Sequence, residues 1–212
     1  MARKPGQTRE ATRAAIIAAS ERVFTSEGFA GASLSMIAKE AGITKSLIHY
    51  HFTSKEALWQ EIKESRFADF ALAQDKIFAM GGPAREFLTN CFTTYFEFLR
   101  DHPEFLRLMW WMQAEYGQSL HPGLDTKVGE TMRGLVDRGI EATRELQKNG
   151  DIRQDLEARF IFAAFLGLLR HWFVARQDFR LSEEGEEQRE TDERYLANTI
   201  SIFLDGVMVK RT

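Results

Sequence analysis

A chain of 212 residues, 44% hydrophobic and 28% charged, can bury a core without disulfides or structural metal, and its one cysteine excludes an intrachain disulfide and a cysteine-rich zinc site. The net charge of −3 speaks against a uniformly basic nucleic-acid binder, yet residues 1–55 hold eight Lys or Arg against four Glu and the remainder is net acidic. A reducing, cytoplasmic setting is the expected localisation, because Arg3 and Lys4 run into Pro5-Gly6 and polar residues rather than a signal-like apolar stretch.

In chain order, apolar residues recur at spacings of three and four, and the pattern reads as all-α. A first helix is expected from Thr8 to Glu27, with Ile16, Ala19, Val23 and Phe24 on one stripe and Gly28 as its stop. A short helix, Leu34 to Ala41, follows with Ser33 as N-cap, and Gly42 breaks it. Thr44 caps a third helix reaching Phe52. Ser54 caps a long fourth one with Leu58, Ile62, Phe67, Phe70 and Ile77 on its apolar side. The break at Gly81-Gly82-Pro83 is the strongest boundary signal, and the organisation expected is a basic N-terminal domain at 1–55, a connecting helix at 56–82 and a larger helical domain at 83–212.

Beyond the boundary, helices are expected over 84–101, 104–115, 125–148, 156–177 and 189–210. A loop holds Gly117, Pro122 and Gly123, a connector runs over 149–155, and an acidic linker covers 182–188. Asn149-Gly150 reads as a helix stop. The longest apolar run, Phe160 to Leu169, is ten residues against the about 20 of a membrane span, so a buried helix and no membrane association are expected.

The two short helices joined at Ala41-Gly42-Ile43 have the proportions of a helix-turn-helix, whose second helix enters the major groove. Ile37, Ala38, Ile43, Ile48 and Phe52 can pin the pair to the body, while Lys45, Ser46 and His49 fall on the opposite side. Lys45 could donate to a guanine edge and Leu47 could pack on a thymine methyl, or Leu47 could be core. Tyr50 and His51 could be packed aromatics.

The ordered run Gly28-Phe29, Ser33-Leu34, Ile37-Ala38, Ala41-Gly42-Ile43-Thr44, His49-Tyr50-His51-Phe52 and Ser54-Lys55-Glu56-Ala57-Leu58 resembles the N-terminal signature of TetR-family repressors. The resemblance covers roughly residues 10–60 at motif level and is architectural beyond. It implies a homodimer on a palindromic operator in double-stranded DNA, released when a small molecule enters the C-terminal domain. By position it implies a phosphate contact for Ser33, base reading for Thr44, Lys45, Ser46 and Leu47, and backbone contacts for Tyr50 and Lys55. His49 stands where the family usually has tyrosine, which shortens that contact's reach.

The C-terminal half is rich in aromatic and Met residues at helical spacing, a pattern shared by cores and apolar pockets. With the family's architecture, Phe92, Phe96, Met109, Met112, Phe165 and Trp172 are expected as walls of an effector site for a mostly hydrophobic molecule, with Tyr95 and His171 as polar groups. Small residues Ala163, Ala164 and Gly167, flanked by Phe160, Leu168 and Val174, suit a dimer helix, and Ile200, Phe203, Leu204 and Val207 form a second stripe.

No enzyme, cofactor or metal is expected. None of the five histidines has Glu three residues before it, and no His-Glu-x-x-His, phosphate loop or Gly-x-Ser-x-Gly is present. Cys91, amid apolar neighbours, reads as a structural thiol. A constitutive DNA-binding protein without effector, or an activator, would share these features.

Overall fold

The computed structural model describes residues 8–115, 127–176, 179 and 185–209. Arg3, Lys4 and the loop with Gly117, Pro122 and Gly123 lie outside them. The described residues form nine helices: α1 (Arg9–Gly31), α2 (Leu34–Ala41), α3 (Lys45–His51), α4 (Lys55–Met80), α5 (Ala84–Asp101), α6 (Pro103–Glu115), α7 (Lys127–Lys148), α8 (Ala158–Ala175) and α9 (Gly185–Val207). The one extended pairing among them is an isolated antiparallel bridge between Ile152 and Met208, which ties the 149–155 connector to the end of α9.

Local chemistry sets most of these boundaries. Thr8, Ser33 and Thr44 each turn a hydroxyl oxygen back to accept from the N–H three residues on, satisfying a donor the first helical turn leaves open. Gly42 sits in the left-handed region at φ 65°, where the Ile43 N–H reaches the Ala38 carbonyl at 3.0 Å and the Gly42 N–H reaches Lys39 at 3.2 Å. That double closure ends α2 and sets the short turn into α3. Gly150 ends α7 in the same way, as the Asn149-Gly150 stop anticipated.

Two boundaries differ most from expectation. α1 continues to Gly31, but Gly28 breaks its geometry at φ 70° and ψ 173°, so the stop is a kink followed by one further turn. α9 begins at Gly185 rather than Arg189, taking Glu186 and Glu187 into its first turn, where carboxylates meet the positive end of the helix dipole.

The chain divides into two compact units, and the division passes through α4 between Asp69 and Phe70. The first unit holds α1–α3, the first half of α4, α6 and the start of α7 up to Glu130; the second holds the remainder of α4, α5, the rest of α7, α8 and α9. The Gly81–Pro83 break separates two helices of the second unit rather than two units.

In the first unit Phe24 packs on Trp59 at 4.8 Å and Phe67 on Phe105 at 5.0 Å, around the wholly buried Ile16, Ile37, Ile48 and Leu58. The Arg66 guanidinium grips the Glu21 carboxylate through two of its nitrogens, joining α4 to α1. In the second unit Phe92 lies between Phe165 and Phe203 at 4.7 and 4.8 Å, and Phe96 meets Phe173 at 5.0 Å, so α5, α8 and α9 share one aromatic core.

Candidate nucleic-acid interface and ligand cavity

The α2–α3 pair is anchored through one face of each helix. Ile37, Ala38, Ile48 and Phe52 are buried, while Thr44, Lys45, Ser46, His49 and Tyr50 are exposed and Leu47 is half-buried. Tyr50 is 65% exposed, with its ring edge-on to His51 at 5.1 Å. Arg9 lies over its ring at 5.6 Å, so a guanidinium borders the same surface. Lys45 forms no ion pair among the described residues, which leaves its ammonium free to meet an external anion or base edge. Ser33 and Thr44 accept at their helix starts, and a hydroxyl that accepts can still donate outward.

Lys55 departs from its expected role. Its Nζ donates to the Phe29 carbonyl at 2.8 Å and the Ala32 carbonyl at 3.0 Å, and it sits over the Phe29 ring at 4.2 Å. The ammonium therefore satisfies carbonyls freed where α1 ends, and only one of its three donors is left over. The kink that exposes those carbonyls is itself packed: a Cβ at Gly28 would stand 2.8 Å from the Trp111 ring. The Trp111 Nε1 donates to the Thr25 carbonyl at 3.3 Å.

The second unit contains a cavity formed by α4, α5, α7 and α8, closed by Ile152 of the connector and by Phe203 and Val207 of α9. Its walls are mostly apolar, and the centres of water-sized molecules can occupy about 80 Å³ of it. Of the expected wall residues, Phe165 lines it, and so does Tyr95 as an expected polar group.

The other expected lining residues lie elsewhere. Phe92 and Phe96 are wholly buried in the α5–α8–α9 core, consumed by ring contacts. Met109 and Met112 belong to α6 in the first unit. Trp172 is a polar tie: its Nε1 donates to the buried Asp192 at 2.7 Å and its ring stacks on Tyr195 at 4.0 Å, while Arg176 and Gln188 complete that carboxylate's partners. His171 is exposed on the outer side of α8.

The residues that sequence reasoning missed are Gln74, Arg170, Thr143 and Cys91, with Gly139 and Phe162 shaping the wall. Two carried a signal. Gln74 interrupts the apolar stripe of α4 between Phe70 and Ile77, and Arg170 follows directly on the most apolar run of the chain. Arg170 Nε donates to the Tyr95 hydroxyl at 2.6 Å. Burial pushes the Cys91 thiol up to about 12, so it is an inert wall atom rather than a nucleophile.

On the opposite side of α8, Phe160, Ala163, Ala164, Gly167, Leu168 and Val174 are exposed, with Phe160 at 60%. Over Ala158–Ala175 the mean hydropathy is 1.4, and only 28% of that stretch is buried, so this helix is long and apolar enough to cross a membrane by length and composition. The ten-residue run understated it, because flanking residues extend the apolar character. In α9 the expected stripe is not a surface: Phe203, Leu204 and Val207 are buried in the protomer's own core and Ile200 is half-buried. The exposed apolar residue there is Ile202, at 71%.

Comparison with known proteins decides the family. Residues 16–62 match the family described as bacterial regulatory proteins, tetR family, and residues 92–200 match the tetracyclin repressor-like C-terminal domain. The chain belongs to the TetR family. The transcriptional repressor SCO4008 of Streptomyces coelicolor is 30% identical over 149 residues, 70% of this chain and 71% of its own length. The regulator AcrR of Shigella flexneri is 28% identical over 96% of this chain and 94% of its own.

Among solved structures, the ketosteroid regulator KstR2 of Mycobacterium tuberculosis superimposes with a TM-score of 0.72 at 20% identity, covering 98% of this chain and 100% of that one. FadR of Bacillus subtilis, solved with stearoyl-CoA, has a TM-score of 0.66 at 18% identity, covering 89% and 97%. This TetR-family chain is thus a transcriptional regulator with a helix-turn-helix for DNA, and its relatives are named as regulators and repressors.

Proposed function

We propose that this chain is a repressor that holds a palindromic operator as a homodimer in the cytoplasm and lets go when a small, mostly hydrophobic effector enters the cavity of its second unit. The exposed side of α3 carries the reading: Lys45, Ser46 and His49 stand free on a helix whose other side is anchored by the wholly buried Ile48. A polar, unengaged face at the start of a short capped helix suits the major groove, where lysine donates to guanine and hydroxyls serve either strand. Ser33, Thr44 and Tyr50 border it and suit phosphates, which position the protein without reading sequence.

The apolar outer side of α8 supports the dimer. Small residues at Ala163, Ala164 and Gly167 permit a close helix approach, and a side chain added at Gly167 would meet nothing within 4 Å. Phe160, Leu168 and Val174 flank that strip, and they and Ile202 of α9 are left uncovered in one protomer. A second copy related by a two-fold axis covers them and sets two recognition helices about 34–36 Å apart, one turn of DNA.

The cavity supports the effector. Its ligand shifts the protein away from the DNA-bound spacing by no more than its difference in affinity for the two states. Helix α4 runs continuously from the first unit into the second and is the proposed route of coupling.

Selection from a random duplex library, with the protein and a Lys45→Ala, Ser46→Ala variant side by side, tests the reading. Enrichment of a palindrome by the parent alone is expected. No enrichment by either at low salt would remove base reading from α3.

A further inference from the structure

Resting on the reading of this cavity as the effector site, we propose that its ligand is an apolar molecule with a single anionic head, a carboxylate or an equivalent acid, held by Arg170 together with Tyr95 and Gln74. Among the described residues no carboxylate lies within ion-pair distance of Arg170; its one hydrogen bond goes through Nε to the Tyr95 hydroxyl at 2.6 Å. Four of the five N–H donors of the guanidinium fork are therefore unclaimed by the described residues.

A second, independent group points to the same chemistry. Gln74 is about nine-tenths buried at the wall, and its amide nitrogen has no hydrogen-bond partner among the described residues. Buried donors are almost always satisfied, so an unpaired one on a residue that lines the cavity leaves a place for an acceptor from outside the protein. No Asp or Glu lines the cavity, so nothing there would neutralise a cationic ligand. Elsewhere the wall is apolar, with Phe78, Leu88, Val136, Ile152 and Leu166 available to a hydrocarbon body. The open space takes roughly half a dozen waters, at about 10–15 Å³ of centre volume each, which sets a short chain or a single ring as the starting probe.

A bidentate guanidinium–carboxylate pair in an apolar surrounding gives both orientation and affinity. The Tyr95 hydroxyl holds Arg170 through Nε, leaving the opposite edge of the fork for the ligand. Phe165 meets the Tyr95 ring at 5.7 Å and keeps that phenol in place.

Calorimetric titration of the full-length protein with octanoate, 4-phenylbutanoate, octanol and octylamine tests the proposal. The same titrations follow with Arg170→Met, Arg170→Lys, Gln74→Leu and two cavity-filling variants, Ala142→Phe and Leu88→Trp, each checked for cooperative unfolding. A carboxylate is expected to bind the parent at least about tenfold more tightly than octylamine or octanol, to lose about tenfold or more in Arg170→Met, and to recover part of that in Arg170→Lys. Equal binding of octanol or octylamine, or indifference to Arg170→Met, would overturn the acidic head and leave the cavity as the effector site. Binding that survives both cavity-filling variants would place the site elsewhere and overturn the cavity reading itself. Failure of both carboxylates to bind the parent would overturn the proposal.

Discussion

Single residues at the α1–α2 junction show how far a local reading reaches. Glycine at position 28 reads as a helix stop, and the structure makes it a kink with one further turn beyond. Its necessity has a further cause, because the backbone is in the left-handed half of conformational space and the Trp111 ring occupies the place of a side chain. Trp111 is 83 positions later in the chain, so no local pattern could announce it. Gly28→Ala is expected to lower stability by about 2 kcal/mol or more, from the strained φ and the displaced indole together. Thermal unfolding measures it; an unchanged Tm would mean the ring moves aside freely.

Lys55 teaches the converse lesson. A lysine at the start of a helix beside a DNA-binding motif invites a phosphate, yet carbonyls at the end of α1 take most of its donors. Lys55→Met is therefore expected to cost about 1–3 kcal/mol of stability through the carbonyls left unpaired. Operator affinity, measured where the variant is folded, should stay within about threefold of the parent, since the Lys55 donors are held by the Phe29 and Ala32 carbonyls rather than by phosphate. A collapse of affinity at unchanged stability would return Lys55 to the phosphates.

Helices were the most legible level. Caps at Thr8, Ser33 and Thr44 and glycine stops at Gly42 and Gly150 are local chemistry, so the helix-turn-helix could be placed nearly residue by residue. The cavity could not. Periodicity says that a side is buried but not against what, and four helices from distant parts of the chain line this space. That is why Phe92 and Phe96 became core while Gln74 and Arg170 became the wall's polar groups.

Gly139 makes the point at the α7–α8 contact. A Cβ there would lie 2.2 Å from the Phe162 ring, so the glycine is what lets α8 seat that phenyl against the cavity. Gly139→Ala gains about 1 kcal/mol of helix propensity but overpacks by about 1–3 kcal/mol, so overpacking is expected to win. The displaced ring also narrows the cavity. Calorimetry should show weaker binding of a cavity ligand together with a lower Tm; tighter binding with higher stability would contradict this packing.

For the whole molecule, the second stripe expected for dimerisation turned inward. Phe203, Leu204 and Val207 close the protomer's own core, and the surface of α8 with Ile202 is what one protomer leaves uncovered. Sequence periodicity could not separate these cases, because an interface stripe and a core stripe have the same spacing. Charges placed on the uncovered apolar residues of α8 and α9, as in Leu168→Glu with Ile202→Glu, are expected to convert a dimer into a folded monomer by light scattering at micromolar concentration. A parent that is already monomeric would overturn the dimer.

The most direct test of regulation through α3 is a specificity ratio. The affinities of the parent and of Lys45→Ala for the selected palindrome and for a scrambled duplex of equal length would be compared over a salt series. The palindrome is expected to lose about 1–3 kcal/mol of discrimination in the variant while scrambled-duplex binding falls only slightly, because a base contact is lost and most phosphate contacts remain. Equal losses on both duplexes, with the ratio unchanged, would mean that Lys45 only neutralises phosphate and that sequence is read elsewhere.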